Sequence, residues 1–118
     1  MKDGEYIEYY SSGKIYSKIN YSEGKLHGEY VFYYETGNIS SICNYKDGNF
    51  QGKFISYFIS GDVEYKFNYK DGKYHGECIY YYESGEVEYK YYHIYHEPVT
   101  ESEWLSYNRN LTLELLGL

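Results

Sequence analysis

The chain has 118 residues, with 18 acidic against 11 basic side chains and a formal net charge of −7. No segment is basic enough to form the electrostatic footprint of a direct nucleic-acid or anionic-membrane binder, so charge argues against both classes. Twenty-one tyrosines and five phenylalanines make aromatic rings the main apolar material, and such amphipathic rings suit a half-exposed sheet.

Eleven of the twelve glycines fall on a 24-residue lattice. Gly4, Gly28, Gly52 and Gly76 form one column; Gly13, Gly37, Gly61 and Gly85 a second; Gly24, Gly48 and Gly72 a third, whose next slot holds His96. A fixed period of this size marks an array of one supersecondary unit, stabilised by contacts between neighbours rather than by one central core.

From the first residues to position 96 the unit repeats four times. Each begins with a strand, as in Glu29-Tyr-Val-Phe-Tyr-Tyr34, closes a turn at the second glycine column, and returns as a second strand, as in Ile39-Ser-Ser-Ile-Cys-Asn-Tyr45. The turns Ser11-Ser12-Gly13, Glu35-Thr36-Gly37, Ile59-Ser60-Gly61 and Glu83-Ser84-Gly85 fit three-residue hairpin loops whose glycine takes positive φ, as a G1 bulge requires. The longer links, such as Ser22 to His27 and Lys70 to His75, place the third glycine column in the return turn.

Period-2 alternation in the second strands predicts two faces. Ile15, Ser17, Ile19 and Tyr21, with their equivalents up to Val87, Tyr89, Tyr91 and His93, make the apolar one. The other carries Tyr16, Lys18, Asn20, Glu64, Lys66, Asn68, Glu88 and Lys90 and is expected to be wet. The lysines of that column, with Glu64 and Glu88, read as cross-strand charge pairs. First strands carry rings on both sides. The fold class expected is therefore mainly β: four stacked hairpins in an elongated, curved antiparallel sheet of about eight strands.

After residue 96 the pattern stops. Pro98 is expected to end strand pairing, and Thr100-Glu-Ser-Glu103 has the form of a capping box. A short helix is predicted from about residue 101, continuing or bending near Asn108-Arg109-Asn110, with its apolar side on the last hairpin. The chain thus divides into a repeat array, 1–96, and a partly helical capping segment, 97–118. At the other end the strand near residues 5–10 is expected to be a bare edge, open to a partner strand or to a second copy.

Residues Tyr33-Tyr34-Glu35-Thr36-Gly37 with Asn44-Tyr45-Lys46-Asp47-Gly48, and Asn68-Tyr69-Lys70-Asp71-Gly72-Lys73-Tyr74-His75-Gly76-Glu77, resemble the bacterial variant of the MORN repeat over residues 4–96. The chain departs from that pattern at Gln51 for His, at His96 for Gly, and at ring positions taken by Phe or Cys. The resemblance implies hairpins stacked into a curved sheet. It also implies a non-enzymatic binding role: proteins similar to this include antitoxin- or immunity-type partners of secreted toxins, and longer scaffolds in which the repeats bind proteins or dimerise. A phosphatidylinositol phosphate kinase label carried by some similar proteins has no kinase residues behind it here.

No nucleophile–base pair, phosphate loop or metal signature is present, so no catalytic residue, cofactor or metal is assigned. His27 and His75 share the slot before the first glycine column, which Gln51 fills once, and read as turn residues bonding a neighbouring loop. His93 and His96 face opposite sides of a strand unless the chain bends at Tyr95, and so do not converge on an ion. Cys43 and Cys78 read as reduced thiols filling strand positions. The candidate protein-binding residues are Tyr6, Tyr10, Tyr30, Tyr34, Phe58, Tyr82, Glu64, Glu88 and Trp104, because tyrosine supplies large contact area at small entropic cost.

The expected partner is a protein with a basic surface, such as a toxin, a nuclease or another effector, against which this chain acts as an inhibitor. Alternatives are a phage or prophage inhibitor of a host nuclease, or a scaffold dimerising through the N-terminal edge or the tail. Phosphoinositide binding is disfavoured by charge. With no signal peptide before the first repeat and no apolar run of spanning length, a cytoplasmic location is expected.

Overall fold

The computed structural model describes residues 3–118. Four hairpins follow one another along a single antiparallel sheet: β1 (Gly4–Tyr9) with β2 (Ile15–Ser22), β4 (Gly28–Tyr33) with β5 (Ile39–Lys46), β7 (Gly52–Tyr57) with β8 (Val63–Lys70), and β10 (Gly76–Tyr81) with β11 (Val87–Ile94). After each second strand comes a short returning strand: β3 (Lys25–Leu26), β6 (Asn49–Phe50), β9 (Lys73–Tyr74) and β12 (Glu97–Val99). These bring the sheet to twelve strands. The helix α1 (Glu101–Leu115) ends the chain, and the molecule measures 55 × 41 × 22 Å.

The glycine lattice maps onto turns. In the first hairpin Gly13 N–H donates to the Tyr10 carbonyl at 2.9 Å and Tyr10 N–H to the Lys14 carbonyl at 2.8 Å, with Gly13 at φ 90°. This is the predicted loop with its G1 glycine. The return turn is tighter than the sequence suggested. Glu23-Gly24, Asp47-Gly48 and Asp71-Gly72 have positive φ at both residues, as a two-residue I′ hairpin needs, and Tyr95-His96 repeats the geometry without glycine. Pro98 therefore lies inside an edge strand, opposite His93, instead of ending the pairing; a three-residue edge strand tolerates its missing N–H. Thr100 occupies the slot of the first glycine column, and there the chain leaves the sheet.

Successive hairpins meet over a narrow waist. Ser17 and Lys18 pair with Phe32 and Val31, Ser41 and Ile42 with Ser56 and Ile55, and Tyr65 and Lys66 with Tyr80 and Ile79. Below that waist the returning strand, rather than the next hairpin, pairs with the second strand.

Bulges change the predicted faces. The register slips between Glu8 and Tyr9, Phe32 and Tyr33, Ser56 and Tyr57, and Tyr80 and Tyr81, leaving Tyr16, Ser40, Glu64 and Glu88 as the extra residues. One extra residue inverts the alternation beyond it. Ile15, Ile39, Val63 and Val87 accordingly share a face with Tyr9, Tyr33, Tyr57 and Tyr81. Tyr16 turns to the ring face, where it meets Tyr10 at 5.1 Å and Phe32 at 5.6 Å between centroids.

The second face is also less wet than alternation implied. Across the strands it carries the row Ile7, Lys18, Val31, Ile42, Ile55, Lys66, Ile79, Lys90, in which Val31 is only 4% exposed. Its lysines do not pair with Glu64 and Glu88. Lys18 and Lys66 lie over the rings of Tyr33 and Tyr81, at 5.9 and 5.8 Å, and Lys90 pairs with Glu77 at 3.5 Å.

The helix runs unbroken through Asn108-Arg109-Asn110. The side chain of Thr100 accepts from Glu103 N–H at 3.1 Å while Glu103 Oε1 accepts from Thr100 N–H at 3.2 Å, the predicted capping box. Its ring contacts with the array come from Trp104 and Tyr107, in its first half. Trp104 and Tyr107 lie edge-on to His75 at 5.2 and 5.5 Å, and α1 packs against β11. The helix docks on the second face, where Tyr92 stands in a slot that holds Asn in the first three units and is 7% exposed. Leu105, Leu115, Leu116 and Leu118 stay exposed.

Candidate protein-binding face

The ring face is a continuous aromatic lattice. Tyr30 stacks on Phe32 at 4.6 Å, Tyr45 on Phe50 at 4.6 Å, Phe50 on Tyr69 at 4.7 Å, and Tyr65 on Phe67 at 4.8 Å. Rings of second strands are met by rings of the hairpin that follows: Tyr16 by Phe32 at 5.6 Å, and Tyr65 and Phe67 by Tyr80 at 5.6 and 5.5 Å. Small buried residues, Ser17 and Cys43 among them, fit beneath these rings. Burial pushes the Cys43 thiol up to about 11 and raises Cys78 as well. Both are packing thiols without thiolate character.

Hydrogen bonds tie each hairpin to the next at fixed spacing. Tyr10 Oη donates to the Tyr33 carbonyl at 2.7 Å and Tyr34 Oη to the Tyr57 carbonyl at 2.6 Å. His27 Nδ1, Gln51 Oε1 and His75 Nδ1 accept from the backbone N–H of Asp47, Asp71 and Tyr95, at 3.5, 3.1 and 3.2 Å, as expected for turn residues. The chain does turn at Tyr95. The Tyr74 ring lies 5.4 Å from that of His93 and 5.3 Å from that of His96, and His96 Nδ1 accepts from Tyr74 N–H at 2.9 Å. Among the described residues no group of three or more His, Cys, Asp or Glu is gathered as a metal would need.

The predicted binding residues separate into three sets. Tyr10 and Tyr34 hold repeats together through their hydroxyls, Tyr6 lies edge-on to Tyr21 at 5.4 Å, and Tyr30 and the half-buried Phe58 belong to the packed array. Glu64 is the half-buried bulge residue of the third hairpin, and after burial its carboxylate is the next cause that raises the Tyr34 hydroxyl. Trp104 holds the helix on the opposite face. Tyr82 and Glu88 are both exposed on the last hairpin.

The open surface is the ring face of the last hairpin. Among the described residues no further hairpin follows β11, and Tyr82, Tyr89 and Tyr91 are 52%, 54% and 50% exposed. Tyr89 and Tyr91 lie parallel at 6.1 Å, and the acids Glu83, Glu86 and Glu88 of the same hairpin are exposed as well. Period-2 reading placed Tyr89 and Tyr91 on the packed face. The signal that they are open is positional: they belong to the last unit before the lattice fails at His96.

The pattern described as MORN repeat variant matches residues 2–23, 26–47 and 74–94, more than half of the chain. The chain belongs to the MORN repeat variant family. The stretch between the second and third matches, which carries Gln51 and Phe58, folds as the same hairpin. Comparison with curated proteins and with solved structures finds no match. MORN repeats are a non-catalytic family of protein- and membrane-interaction repeats. No helix in the described residues is long and apolar enough to cross a membrane.

Proposed function

We propose that this MORN-variant chain is a non-catalytic protein-binding protein that occludes a basic surface of its partner, in the manner of an inhibitor or immunity protein. The observation that supports it is the open end of the ring lattice: Tyr82, Tyr89 and Tyr91 are exposed on the last hairpin, which also carries the exposed acids Glu83, Glu86 and Glu88. Large rigid rings supply contact area at low entropic cost, and exposed acids select and steer a cationic partner. Neither the packed rings nor the turn histidines offer a reacting group. A cytoplasmic location goes with this reading.

The test is capture from the source cell with immobilised wild-type protein and with a Glu83→Gln, Glu86→Gln, Glu88→Gln variant. A partner held by the wild type, released by moderate salt and lost in the variant supports the proposal. A partner held equally by both sinks it.

A further inference from the structure

The free edge of β11 has the geometry of three internal edges that each receive a strand. At each internal junction two residues of the second strand pair with the next hairpin, and the outward-facing one is Lys18, Ile42 or Lys66. Lys90 stands in the same slot. Since β12 pairs only Tyr92–Ile94, Val87–Tyr91 have no strand on their outer side among the described residues.

The side chains in the slots that grip an incoming strand are present, without the following strand that their equivalents meet. Tyr10 and Tyr34 donate their hydroxyls to the carbonyl 23 residues ahead, and Tyr82 is the same residue in the last unit. Lys18 and Lys66 cover the tyrosine 15 residues ahead; Lys90 has no such ring and lies over Tyr92 at 5.7 Å. The bulge residue Tyr16 touches Phe32, 16 residues ahead, and the corresponding bulge residue here is Glu88.

We infer that β11 binds its partner by strand addition: an extended, basic segment of another protein pairs with Val87–Tyr91, with a Lys or Arg against Glu88. This rests on the reading of the face as the binding surface. Backbone pairing at a sheet edge gives affinity and alternate side chains give specificity. The charge decides against a second copy as occupant. Its β1 in the same register would set Glu8 against Glu88, two carboxylates at ring-contact distance.

Synthetic peptides of residues 28–34 carrying Phe32→Lys or Phe32→Glu, titrated into the full chain, test the inference, because Phe32 is the residue that meets the bulge side chain. Binding is read by fluorescence anisotropy, and hydrogen exchange of the Lys90 amide by NMR. The Lys peptide is expected to bind at least about fivefold more tightly than the Glu peptide and to slow Lys90 exchange. Glu88→Lys reverses the preference, and Tyr82→Phe, a residue Phe58 already shows to be accommodated, weakens binding about fivefold. Binding without slowed Lys90 exchange would overturn strand addition while leaving the salt-sensitive capture above intact. Tighter binding of the Glu peptide would assign the edge to a second copy, and no binding of either peptide would also overturn the inference.

Discussion

The hydroxyl of Tyr34 donates to the carbonyl of Tyr57 at 2.6 Å, joining one hairpin to the next through a bond that does not belong to the sheet ladder. Tyr10 and Tyr33 make the equivalent bond at 2.7 Å. The series stops at Phe58, whose ring has no hydroxyl to reach the Tyr81 carbonyl. Tyr34→Phe is therefore expected to destabilise the array by about 1 kcal/mol, and Phe58→Tyr to stabilise it by a similar amount, the net worth of a typical hydrogen bond. Urea unfolding midpoints measured at constant m-value check both.

Acidification should weaken the junction between the last two units. Burial, and then the nearby Lys70, lowers the His75 imidazole below its ordinary value, and burial followed by His96 does the same for His93. A histidine lowered in the folded state binds fewer protons than in the unfolded chain. Stability is then unaffected above the ordinary value near 6.5, falls as pH drops below it, and levels off below the folded value. Protonating Nδ1 also removes the acceptor for Tyr95 N–H. His75→Gln, which repeats the residue found at Gln51, should flatten this fall in a thermal scan between pH 7.5 and 5.

Gly48 isolates the contribution of backbone conformation. It has φ +85° and nothing within 4 Å of an added Cβ. Gly48→Ala therefore meets no clash, and its expected cost of about 1–2 kcal/mol is that of left-handed backbone alone. A loss under about 0.3 kcal/mol in urea would show that the turn relaxes.

The helix is held by few contacts, Trp104 and Tyr107 at His75 and Trp104 against Gly76, which an added Cβ would bring to 3.6 Å from its ring. A 15-residue helix is marginal alone in water. Trp104→Ala is expected to melt α1 while the hairpins persist, seen as lost helical ellipticity with retained aromatic signals. Thr100→Ala removes the capping box and should cost about 1 kcal/mol.

Much of this was legible in the sequence. The second glycine column located all four three-residue hairpin loops, and Thr100 with Glu103 located the helix start. The faces were not, because the bulges at Tyr16, Ser40, Glu64 and Glu88 invert an alternation that looks regular in the letters. Pro98 read as a stop because the I′ turn at Tyr95-His96 has no glycine to announce it. Nor could composition separate tyrosines that hold repeats together from those left open. That difference depends on whether a hairpin follows, which makes Tyr34 structural and Tyr82 available.

The central claim is that the last hairpin, through its ring face and outer edge, is the binding surface. Hydrogen exchange of the full chain with and without its captured partner, resolved to single amides, tests it most directly. Protection centred on Tyr82 to Tyr91, with the first three hairpins unchanged, is the predicted result. Protection confined to β1 or to the exposed leucines of α1, with Tyr82 to Tyr91 unchanged, would contradict it.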